Sequence, residues 1–132
     1  MSCSRGFLIE QFRGRTGNFT VSIFDGSCAD ENLSAGDIVT VRIGRHGVCV
    51  LEIDSVLATD GDSIITFTAG QNDVQLRIGA EDSELLTFSH YDVDIFLEDI
   101  SDGNREKQID TGVLHCYGTL PEPAEQQSSS SS

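Results

Sequence analysis

The chain has 132 residues, the length of one ordinary domain, and its 38% hydrophobic content suffices for one core rather than two. Twenty-two acidic against eight basic residues give a formal net charge of −14, which argues against nucleic acid and anionic membranes as partners, because both need Lys and Arg to neutralise phosphate. No apolar run approaches the roughly 20 residues that cross a bilayer.

The opening MSCSRGFLIEQFRGR has only Phe7-Leu8-Ile9 as an apolar run, too short for the middle of a signal peptide. The expectation is therefore a cytosolically made protein with its four cysteines (Cys3, Cys28, Cys49 and Cys116) all reduced.

From there the chain reads as strands. No stretch of eleven or more residues keeps apolar positions at helical spacing. Instead, short β-branched and aromatic runs recur between clusters of Gly, Asp, Asn and Ser. The predicted strands are Gly6–Arg13, Asn18–Asp25, Asp37–Arg45, Val48–Ser55, Ser63–Ala69, Val74–Ile78, Tyr91–Glu98 and Ile109–Tyr117. Alternation assigns inner faces. In NFTVSIFD the inward set is Phe19, Val21 and Ile23, and in DIVTVRIGR it is Val39, Val41 and Ile43. In YDVDIFLED, Tyr91, Val93, Ile95 and Leu97 share one face while Asp92, Asp94 and Glu98 share the other, since burying unpaired carboxylates is costly. Cys49 and Cys116 fall within strands and read as small core hydrophobes.

The punctuation agrees. His46-Gly47 can close a tight hairpin, because glycine tolerates positive φ. Thr59-Asp60-Gly61-Asp62 and Ser101-Asp102-Gly103-Asn104 mark two further turns. Turns at intervals near ten residues predict a single immunoglobulin-like antiparallel β-sandwich of seven to eight strands, with a barrel as the alternative. AEDSELLTFS (80–89) is read as one short helical turn, with Leu85, Leu86 and Phe88 crossing the sandwich end. The organisation is then an N-terminal arm and first strand (1–11), a sandwich (12–120) and a Pro/Ser-rich tail (121–132) whose composition cannot build a core.

Chemistry is not evident. Ser89-His90 and His115-Cys116 are adjacent pairs, and neighbours on a strand point to opposite faces, so neither is expected to form a nucleophile–base contact. The three histidines (His46, His90, His115) and four cysteines show no zinc-ligand spacing. Asp60-Gly61-Asp62-Ser63 could offer oxygens to calcium, but Asp and Gly are also ordinary turn formers, and no EF-hand loop is present. Walker, dinucleotide-binding and nucleophile-elbow motifs are absent from the sequence. No catalytic residue, cofactor or metal is assigned, and a non-enzymatic, protein-binding chain is expected.

A sequence pattern adds a setting. It consists of Arg13-Gly14-Arg15, then NFTVSIFD (18–25), then DIVTVRIG with VCVLEI, then LLTFSHYDVDIFLED (85–99) and finally TGVLHCYGT (111–119). In that order the chain resembles the β-sandwich at the N-terminus of phage baseplate upper proteins and related small structural proteins of tailed phages. The likeness spans roughly residues 10–119, and its most specific part is the order Leu…Tyr-Asp-Val-Asp-Ile…Gly-Val-Leu. The resemblance implies a virion structural subunit, assembled in the host cytoplasm. It would act as an adaptor in the tail, baseplate, neck or fibre attachment, contact other phage structural proteins and form a homo-oligomer within the particle. A capsid decoration (cement) protein is the structural alternative.

From another class comes an adhesion or ligand-binding sandwich, although sugar binding favours aromatic platforms and the chain has no Trp and only Tyr91 and Tyr117. Arg5, Arg13 and Arg15 near the start, against ten acids over residues 81–110, form an asymmetry that could orient a subunit on its neighbour. The two arms (Met1–Gln11 and Pro121–Ser132) are expected to make the intersubunit contacts.

Overall fold

A computed structural model of the chain describes residues 6–24, 27–100 and 105–118. The tail and the first residues of the N-terminal arm lie outside these, as do Cys3 and the Ser101–Asn104 turn. Among the described residues eight strands and one helical turn follow in chain order: β1 Leu8–Phe12, β2 Gly17–Ser22, β3 Ile38–Arg45, β4 Val48–Asp54, β5 Ile64–Phe67, β6 Asp73–Ile78, α1 Ala80–Ser83, β7 His90–Asp99 and β8 Arg105–Tyr117. They form a five-stranded sheet ordered β1-β8-β7-β3-β4 and a three-stranded sheet ordered β2-β6-β5.

The inward residues are those the alternation selects. Tyr91, Val93, Ile95 and Leu97 of β7 are buried, as are Val39, Val41 and Ile43 of β3. The smaller sheet contributes Val21, Val74, Leu76, Ile78 and Ile65, with Phe19 packed at the margin of the same cluster. A one-residue slip would invert every one of these side chains, so burial of the apolar set fixes the register. The β3–β4 hairpin turns on His46 and Gly47, at φ 51° and 79°. Two successive positive φ values match the right-handed twist of the paired strands.

Several expectations are corrected. The sandwich is not wholly antiparallel: β1 runs parallel to β8, from Leu8 opposite Val113 to Phe12 opposite Tyr117. The stretch Leu8–Gln11, within the predicted first strand, lies in that sheet with Ile9 and Gln11 buried. Cys49 is exposed. The register of β3 on β4 shifts between Ile43 and Gly44, which places Cys49 opposite Gly44 on the outer face; a bulge of this kind reverses the inward pattern beyond it. Cys28 is disulfide-bonded, so the four thiols are not all free.

At the sandwich end only Leu86 is buried, while Leu85 and Phe88 stay half exposed. Helix α1 is a single turn that brings Asp82 into the interior. Its carboxylate accepts hydrogen bonds from the Thr59 hydroxyl and, at 2.6 Å, from the Ser63 hydroxyl. Ser63 Oγ in turn accepts from the Gly79 amide at 2.8 Å. This network staples the start of β5 to the β6–α1 junction. A second carboxylate, Asp37, accepts from the Ser34 and Ile100 amides at 2.8 and 2.9 Å and ties the start of β3 to the end of β7.

Candidate functional site

The large sheet has a second face, turned away from the core. Because residues directly opposite on neighbouring strands share a face, the register lays this surface out in rows. One row runs Leu8–Val113–Asp92–Gly44–Cys49 across all five strands. The next runs Glu10–His115–His90 across β1, β8 and β7. Phe12 and Tyr117 form a third, with ring centroids 5.3 Å apart. On the other side Thr111, Asp94, Arg42 and Glu52 stand in line.

The two halves of this face differ. Over β1 and β8 it carries two exposed apolar pairs on either side of the Glu10–His115 row: Leu8, Phe12, Val113 and Tyr117 are 57, 41, 41 and 38% exposed. Sequence reading missed this strip, because no inner or outer face was assigned to the first strand. The signal was present in LIEQF, where both faces of the strand carry large apolar residues. Tyr117 donates its hydroxyl to Glu10 at 2.9 Å, and that bond, more than burial, pushes its ionisation upward.

Over β7, β3 and β4 the face is charged. Arg42 stacks 4.4 Å over the Phe96 ring and donates to Glu52 at 2.6 Å and Glu106 at 3.3 Å. The bond to Glu52 is the main influence raising its already high ionisation, so Arg42 is a fixed cation. A shallow hollow of about 290 Å³ lies here, lined by Gly44, Cys49, Asp92, Asp94 and Phe96 among others.

The histidines behave differently from expectation. Ser89 precedes β7 rather than lying within it, so its side chain is free to turn back, and Ser89 Oγ meets His90 Nδ1 at 2.9 Å. The adjacency argument against that contact fails. The pair is exposed, a poor setting for the water-excluded electrostatic stabilisation on which acyl-transfer chemistry depends. His115 and Cys116 do take opposite faces. His115 packs edge-on to His90 at 4.2 Å between centroids, while Cys116 is buried, its thiol 3.3 Å from the Leu86 carbonyl. Burial pushes the Cys116 thiol up, partly opposed by Arg13.

At the acidic turn, Asp62 faces Arg77 at 2.7 Å. Among the described residues no three His, Cys, Asp or Glu side chains are arranged to hold a metal ion.

The strand order defines the class. Sheets of three and five strands with this connectivity, the five-stranded one extended beyond its central three, have the arrangement of an immunoglobulin-like β-sandwich. The Tyr91 hydroxyl accepts from the Phe88 amide at 2.9 Å, the tyrosine corner common in such domains. Two residues further on, Val93 stands where antibody domains carry one cysteine of the inter-sheet disulfide.

No protein-family model and no curated protein matches the chain. Among solved structures it is similar to a chain of the ZIG-8–RIG-5 IG1–IG1 heterodimer, at 9% identity and a TM-score of 0.48, over 85% of this chain and 82% of that one.

Proposed function

We propose that this domain is a non-enzymatic structural subunit of a tailed-phage virion, an adaptor that binds neighbouring phage proteins, other copies of itself included, through the outer face of its five-stranded sheet. The observation that carries the binding face is the exposed strip of Leu8, Phe12, Val113 and Tyr117. Exposed apolar and aromatic side chains interleaved with polar ones, here with Glu10 and His115 between the two apolar pairs, are what protein interfaces use. The virion setting rests on the sequence resemblance, whose most specific stretches fold as the adjacent strands β7 and β8. The acidic surface keeps such a subunit soluble before assembly.

A second reading, an adhesion or ligand-binding module outside the cell, is favoured by one observation. Cys28 is disulfide-bonded, and disulfides persist in oxidising compartments.

The test is incorporation into particles. Replacing Phe12 and Tyr117 together by Ser removes two anchors worth about 2 kcal/mol each if they are hot spots. Incorporation into density-purified particles should fall by two orders of magnitude or more, with the folded domain retained. Undiminished incorporation would move the interface elsewhere. Recovery of the native chain from the culture medium, and never from particles, would favour the second reading.

A further inference from the structure

The geometry points to a metal-binding clamp on the outer sheet face, formed by His90 and His115 and selective for a borderline divalent ion such as Zn²⁺, Ni²⁺ or Cu²⁺. It is independent of the virion reading. The two histidines are 25 positions apart in sequence, a separation without ligand spacing. The antiparallel pairing of β7 with β8 sets them directly opposite one another. Their rings sit 4.2 Å apart at an interplanar angle of 83°, with His90 exposed and His115 half-buried. A zinc–imidazole bond is about 2.0–2.1 Å long. Bringing one nitrogen from each ring to a common ion therefore needs only side-chain rotation at an open surface, with the backbone held by the strand ladder.

The surroundings suit a metal. Ser89 Oγ engages His90 Nδ1, which leaves Nε2 as the nitrogen available to a metal and orients the ring as outer hydrogen bonds do for metal-ligating histidines. Glu10 stands opposite His115 in the next strand, held by the Tyr117 hydroxyl, and Asp92 follows His90 on the same face of β7. Both place negative charge beside an incoming cation. The clamp supplies two protein ligands, and water completes the coordination. Imidazole pairs prefer zinc, nickel and copper over calcium or magnesium, which take oxygen.

The test uses the untagged, full-length protein carrying Cys49→Ser, so that the exposed thiol does not compete. Zn²⁺ and Ni²⁺ are titrated while the imidazole proton resonances and binding heat are followed. The expected result is saturable binding of one ion, with the resonances of His90 and His115 affected together. His90→Gln or His115→Gln should each weaken it at least tenfold. Both histidines lie on the sheet surface, and an unchanged far-UV spectrum establishes that the variants fold. Absence of saturable binding, or retention of affinity in either single variant, would overturn the assignment.

Discussion

Removing the Asp82 carboxylate should unfasten one end of the sandwich. The group is 8% exposed and accepts hydrogen bonds from two hydroxyls, those of Thr59 and Ser63. A hydrogen bond to a charged group contributes about 1.5–3 kcal/mol. Asp82→Ala therefore costs about 3–6 kcal/mol, a large share of the 5–15 kcal/mol typical of a domain. Asp82→Asn keeps an acceptor without the charge and should lose about half as much.

Gly61 sharpens the prediction, because a β-carbon there would overlap the Asp82 carboxylate. Gly61→Ala alone should cost about 1–3 kcal/mol from overpacking. In the Asp82→Ala background the obstacle is gone, so the double variant should be less destabilised than the sum of the singles, a coupling urea denaturation can measure. An Asp82→Ala variant losing under about 1 kcal/mol, or strictly additive effects, would show that the network does not hold the β5 start to α1.

Four further outcomes follow from the same structure. Ile95→Ala, at a fully buried position in the middle of β7, should cost about 2–5 kcal/mol in the same denaturation assay. Under non-reducing conditions an alkylating agent should label Cys49 in the folded protein, Cys116 only after unfolding and Cys28 only after reduction, as read by peptide mass. Because burial raises the Cys116 thiol in the folded state, its stabilising contribution is complete below the ordinary thiol range near pH 8.5 and fades as pH rises through the folded value; Cys116→Ala should flatten that alkaline decline in thermal stability. Gly47→Val should lower stability by about 1–2 kcal/mol, since φ is +79° there and the neighbouring space is open, leaving backbone strain as the cause.

The strands and their inner faces were legible because a half-buried sheet writes its register into the sequence: Tyr91, Val93, Ile95 and Leu97 are buried at every second position. What escaped depends on pairing between distant segments. The exposure of Cys49 follows from a bulge, which adds no signal to the alternation of β4. The parallel placement of β1 could not be read either, because LIEQF would alternate identically in either direction. The candidate face suffered most. His90, His115 and Glu10 form a row only once β1, β8 and β7 are set side by side, and Ser89 reaches His90 only because the strand begins one residue later.

The parallel edge strand also gives the domain a mechanical character. The chain runs into β1 at Leu8, beside Val113, and leaves β8 at Tyr117, beside Phe12. A pull on the segments before β1 and after β8, in opposite directions, loads that seam lengthwise, so that its hydrogen bonds resist together instead of peeling one after another. A hairpin arrangement of the same two strands would unzip from its open end. Tension carried through this domain thus loads the β1–β8 seam before it reaches the core.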